Sequence, residues 1–118
     1  MNLTVSLRGT CEVKETYQIF NLVGQLDAFS EGAFRKVVGS AIEDDAKPNN
    51  IIFNLSKIDF VDSSGLGALV QLAKKAQNNE GSVQIVANAR VTQTVKMVRL
   101  EKFLSLRPSL SEAIANVS

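Results

Sequence analysis

The side chains best suited to chemistry in this chain are gathered in one stretch, Asp59-Phe60-Val61-Asp62-Ser63-Ser64-Gly65-Leu66-Gly67. It follows a short, almost continuous apolar run at residues 51–55 and precedes Leu66, Leu69, Val70, Ala73 and Ala76, which recur at helical spacing. Asp62, Ser63 and Ser64 therefore stand at a helix start. A carboxylate or hydroxyl there accepts hydrogen bonds from the unpaired amides of the first turn, and the helix dipole favours negative charge at that end. A phosphoryl group placed on one of the hydroxyls would carry roughly −1.5 to −2 charges at pH 7. A helix N-terminus already suits an anion. The residue types leave two readings open. Asp62, Ser63 and Ser64 are only a cap, with Gly65 and Gly67 allowing tight packing, or one hydroxyl is a modification site.

Other chemistry is disfavoured. The chain has no His, which removes Ser-His-Asp and Cys-His nucleophile systems and most zinc or iron sites. Gly65-Leu66-Gly67 lacks the third glycine of a dinucleotide fingerprint and the Gly-Lys-Ser/Thr ending of a phosphate loop. Asp59 and Asp62 could approach each other and shift one another's titration, but separate solvated loop carboxylates are the commoner arrangement. No enzymatic activity, cofactor or metal is expected.

The Asp59 to Gly67 segment, set behind an apolar strand, resembles the signature of the anti-sigma factor antagonists, small bacterial single-domain members of the STAS superfamily. A second match lies upstream, where Gly24-Gln25-Leu26-Asp27 resembles the family's Gly-Glu-Leu-Asp element at the end of the second strand. The resemblance covers nearly the whole chain in element order. It implies a bacterial phosphoprotein that regulates transcription by partner switching. The serine directly after the aspartate is the family's phosphoacceptor, which maps that role onto Ser63, and Ser64 is a second hydroxyl at the same helix start. The implied partners are an anti-sigma factor with serine-kinase activity and a metal-dependent serine phosphatase. Unphosphorylated protein would bind the anti-sigma factor and release a sigma factor, and phosphorylation would turn binding off. Asp27, Asp62, Ser63, Ser64, Gly65, Leu66 and Gly67 are expected to form the partner surface. The alternatives are a STAS signalling module with a different kinase and phosphatase, or a nucleotide- or anion-sensing domain. The family often carries a glycine after its third helix, where this chain has Leu100-Glu101-Lys102.

Several elements must position that segment. Residues 3–8 alternate apolar and polar, the pattern of an edge strand, and residues 9–16 read as a connection with Cys11 in or near it. Residues 17–23 form a second strand with no helix between the two. Ser30 reads as a helix N-cap, with Phe29 and Phe34 placed as a hydrophobic staple and Phe34, Val37, Val38, Ala41 and Ile42 as the inward stripe. Residues 43–50 are a polar surface loop. The second helix stops around residues 78–81 at Gly81, and residues 83–87 are the next buried strand. A third helix over residues 92–100 points Val91, Val95 and Val98 inward and Lys96 and Arg99 outward. Residues 103–106 are a last strand, and Ser109-Leu110-Ser111-Glu112 is a capping box opening a helix with Leu110, Ala113, Ile114 and Val117 on its apolar face.

The expected order is β-β-α-β-α-β-α-β-α, an α/β fold with a mixed, mainly parallel sheet. A receiver domain would alternate strand and helix from its first strand. The 118 residues fit one domain over residues 1–118, and 45% hydrophobic with 21% charged residues is ordinary for a soluble globular protein. Thirteen basic against twelve acidic residues give a net charge of +1 with no long basic cluster, which argues against direct nucleic-acid binding. A lone Cys11 and the lack of an apolar run approaching ~20 residues point to a cytoplasmic protein that does not enter a membrane.

Overall fold

In the computed structural model, which describes residues 2–117, the chain runs β1 (Leu7–Val13), β2 (Gln18–Leu26), α1 (Glu31–Glu43), β3 (Asn50–Val61), α2 (Ser63–Asn78), β4 (Ser82–Ala87), α3 (Ala89–Met97), β5 (Ser105–Arg107) and α4 (Leu110–Ala115). The order matches the sequence expectation. One five-stranded sheet has the strand order β1-β2-β3-β4-β5. The β1–β2 pair is antiparallel and every other pair is parallel.

Alternation along the strands sends two sets of apolar residues to opposite faces. On one face, Phe20, Leu22, Ile51, Phe53 and Leu55 pack with Phe34, Val38 and Ile42 of α1, Leu66, Leu69 and Leu72 of α2, and Val91 and Val95 of α3. Phe53 is central, with its ring 5.9 Å from that of Phe20 and 5.3 Å from that of Phe34. On the other face Ile19, Ile52 and Val86 meet Ala113 of α4, flanked by Tyr17, Leu110, Ile114 and Val117. Each large side chain of this kind contributes about 1.5–3 kcal/mol by leaving water. Gln18 is fully buried and satisfied, because its amide donates to the Pro48 carbonyl at 2.8 Å and ties the start of β2 to the loop after α1.

Several boundaries differ from the sequence expectation. The first strand is residues 7–13, not 3–8, because the Thr4 hydroxyl accepts from the amides of Ser6 and Leu7 and bends the chain there. Gly9 then lies inside the strand, where a Cβ would stand 2.0 Å from the Asn21 carbonyl oxygen. Cys11 sits in this strand and is exposed, and its thiol is 4.0 Å from the Gln18 amide oxygen. Partial burial raises the thiol pKa, with Lys47 pulling the other way and Glu12 adding to the rise. The third strand continues six residues past Leu55. That extension pairs with β2 alone, and its register slips twice, between Asn21 and Val23 and between Gly24 and Gln25. An irregular extension of this kind carries no clean alternation.

The Phe29–Phe34 staple does not form. Phe34 is fully buried while Phe29 is 90% exposed. Val37 is partly exposed rather than inward, and so is Val98, because α3 begins at Ala89 and stops at Met97, which leaves Val98 beyond its last turn. The last strand begins at Ser105, and Phe103 is exposed in the turn before it. At the end of α2 the left-handed residue is Glu80, with φ 62°, and not Gly81. The Gly81 amide donates to the Ala76 carbonyl and the Glu80 amide to that of Gln77, the bond pair of a Schellman motif. α3 ends the same way, with Arg99 at φ 59° and Leu100 bonded to the Val95 carbonyl.

Candidate functional site

Asp62 leaves β3 in extended conformation and caps α2. Its Oδ1 accepts the Gly65 N–H at 2.9 Å, and its Oδ2 accepts the Ala28 N–H at 3.1 Å from the loop between β2 and α1. One carboxylate thus joins the two loops at the carboxyl ends of β2 and β3. The Asp62 N–H in turn donates to the Leu26 carbonyl at 3.3 Å. Gly65 packs onto the same carbonyl so closely that a Cβ would come within 2.2 Å of its oxygen. Gly67 has open space around it.

Because Asp62 takes the cap, the two serines are released from that duty. Ser63 and Ser64 are the first two residues of α2, both are exposed, and neither hydroxyl is hydrogen-bonded among the described residues. The cap-only reading therefore fits Asp62 and not the serines. Both oxygens of Asp62 are engaged by backbone amides, which gives it a structural partner set distinct from that of Asp59.

Asp27 is 8% exposed and its carboxylate is turned into its own loop. Oδ1 accepts the amides of Phe29 and Ser30 at 3.0 and 3.1 Å. Ser30, expected to cap α1 with its side chain, instead donates its hydroxyl to the Gln25 carbonyl at 2.8 Å and accepts the Asp27 N–H at 3.0 Å. Asp27 and Ser30 thereby hold a tight turn that presents Phe29 to solvent, next to the Ala28 amide that Asp62 binds. Leu66 is buried under the site, and Gly67 is half-buried.

The extension of β3 that carries Asp62 is braced from the α3 side. Asn88 caps α3 by accepting the Val91 N–H at 2.8 Å, and its amide donates to the Ile58 carbonyl at 2.9 Å and that of Ser56 at 3.2 Å. Arg90 donates to the Asp59 carbonyl at 2.8 Å. Sequence reasoning passed over Asn88, although an Asx residue between a buried strand and a helical stripe is the signal of such a cap. It also missed Phe29 as a surface residue, since the spacing to Phe34 suited a staple. From Ser63 a groove of about 420 Å³ runs along α2, walled by Gly67 and Val70 on one side and by Val98 and Leu100 on the other.

The sequence model of the family described as the STAS domain matches residues 10–113. Among solved structures, an anti-sigma factor antagonist from Mycobacterium paratuberculosis superposes with a TM-score of 0.84 at 23% identity, covering 95% of this chain and 94% of its own. The anti-sigma factor antagonist SpoIIAA of Bacillus, in its unphosphorylated form, gives a TM-score of 0.72 at 20% identity over 92% of this chain and 96% of its own. The murine anion transporter Slc26a9 gives 0.75 at 17% identity over 95% of this chain but 22% of its own. At these identities the structural likeness establishes the fold alone.

Proposed function

Because the chain belongs to the STAS domain family, we propose that it is a phosphorylation-switched binding protein of the anti-sigma factor antagonist kind, with Ser63 as the phosphoacceptor. The observation that carries this reading is the division of labour at the start of α2. Asp62 holds the helix cap and the neighbouring loop, while the Ser63 hydroxyl is exposed and free of hydrogen bonds among the described residues. The partner is an anti-sigma factor that is also a serine kinase. It docks on the rim formed by Ser63, Ser64 and Gly67 with the Asp27 loop, seated on the buried Gly65, and binding it releases a sigma factor. Asp27, Asp62 and Leu66 serve from beneath, by shaping the turn, the cap and the floor.

Phosphate on Ser63 adds charge to an interface built around a neutral hydroxyl, and affinity falls through desolvation and repulsion. A metal-dependent serine phosphatase restores the hydroxyl. In this reading the chain is one cytoplasmic domain that catalyses nothing itself. The existence of SpoIIAA structures in both unphosphorylated and phosphorylated form supports a fold that tolerates the modification. Intact-mass and site-mapping mass spectrometry on protein from its native cells, with and without phosphatase treatment, tests the reading. One phosphatase-sensitive phosphoryl group on Ser63 is the expected result. A chain that stays unmodified across growth and stress conditions overturns it.

A further inference from the structure

The groove that begins at Ser63 does not end at Leu100. A second hollow of about 300 Å³, lined by Lys102 and Phe103 among others, shares Val70 and Lys74 with the first, so the two form one trough along α2. From Ser63 to Gln77 the trough follows 15 residues of helix, about 21 Å over 14 steps at a rise of 1.5 Å per residue. That is the length of about four turns of a docked helix. The first hollow is lined mainly by apolar side chains, with Val98 48% exposed, whereas the second is mainly polar, with Phe103, 60% exposed, as its large apolar side chain. The trough's charges are of one sign: Lys74 and Lys102 line it and no carboxylate does. Neither Lys74 nor Lys102 has an acidic partner among the described residues. The positive end of the α2 dipole lies at the Ser63 end.

We propose that this trough seats an apolar, acidic segment of the partner protein, its carboxylates set against Lys74 and Lys102 and its apolar side chains on Val70, Val98 and Leu100. The assignment names the chemistry of the partner and rests on the docking role given above to the Ser63 rim. A concave, elongated trough suits a polypeptide segment better than a flat lipid surface. A phosphate on Ser63 would put two negative charges at the head of a trough that selects for acidic side chains, so that repulsion acts on the segment and not only at the modified residue.

The test is selection of random 15-residue peptides on phage against the full chain, followed by affinity measurement on the wild type and on K74E/K102E. Both lysines are exposed, so the double variant is expected to fold, and far-UV circular dichroism checks this. Enriched peptides are expected to combine apolar residues with Asp or Glu. They should lose at least tenfold in affinity on K74E/K102E and regain it when their acids are changed to Lys. Amide shifts on titration should fall at Val70, Val98 and Leu100. Selected peptides without acidic residues, or with unchanged affinity for the double variant, overturn the proposal. Binding of phosphatidylserine vesicles with the same dependence on Lys74 and Lys102 does so too. The two readings fail separately. Peptides that bind the trough of a chain never phosphorylated in cells sink the switch alone, and a phosphorylated Ser63 beside a charge-indifferent trough sinks the segment alone.

Discussion

A Cβ on Gly65 would stand 2.2 Å from the carbonyl oxygen of Leu26, the same oxygen that accepts the Asp62 N–H at 3.3 Å. The helix that presents Ser63 is therefore seated directly on the end of β2, with no room for a side chain at the contact. Gly65→Ala forces backbone apart and should cost about 1–3 kcal/mol by analogy with overpacked cores. Gly67→Ala, two positions on with nothing in its way, should instead gain about 0.8 kcal/mol from helix propensity. Urea unfolding of the two variants is expected to move the midpoint in opposite directions, and equal shifts would contradict the seating.

Asp62 is predicted to act on two loops at once. Asp62→Ala removes the α2 cap, at a cost of about 1–2 kcal/mol, and also frees the Ala28 amide. Hydrogen exchange should accelerate together at Gly65 and Ala28, which are 37 residues apart in the chain but share one carboxylate. Protection retained at Ala28 would mean that its bond to Asp62 is not formed in solution.

Ser63→Ala should leave the fold unchanged, since the hydroxyl holds nothing among the described residues, and should bind the cognate kinase constitutively. Ser63→Asp should weaken binding, though less than phosphate does because it carries less charge. Titration calorimetry with the purified kinase separates the outcomes, and equal affinities for both variants would count against Ser63 as the switch.

Two helices close on residues strained by their own side chains. Glu80 and Arg99 occupy the left-handed region at φ 62° and 59°, which costs an L-residue roughly 1–2 kcal/mol. Glycine removes that cost but gains freedom in the unfolded chain worth about 0.4–1 kcal/mol. Glu80→Gly and Arg99→Gly should each raise stability by about 0.5 kcal/mol, read as an increase in the denaturation midpoint.

The element order and the strand centres were legible because they rest on strong periodicity. Ile51 to Leu55 is buried from both sides, and the α2 stripe through Leu66, Leu69, Ala73 and Ala76 faces the sheet as its spacing requires. The Ser109 cap was legible too, since its hydroxyl accepts the Glu112 N–H. What escaped were features set by local side-chain bonds and by contacts remote in sequence. The bend at Thr4 competes with strand pairing through local side-chain bonds. The extension of β3 is held by Asn88 and Arg90, some thirty residues later. Asp27, expected from the resemblance to line the partner surface, has a carboxylate that accepts the amides of its own turn, at Phe29 and Ser30. Ser63 and Asp62 were placed at the helix start by the helical spacing of the residues after them, while the choice of Asp62 as the cap needed the three-dimensional path of the chain.

The strand order across the sheet is the order of synthesis, since each strand pairs only with its neighbours in the sequence. No early strand has to wait for a late one to be inserted beside it. The topology allows β1 and β2 to pair first and β3, β4 and β5 each to add to an edge already built. At every stage the nascent sheet has one growing edge, and the surface at risk of wrong pairing moves along with translation. The strands and helix that carry Ser63 precede β4, while the brace from Asn88 and Arg90 on the β3 extension follows it in the chain.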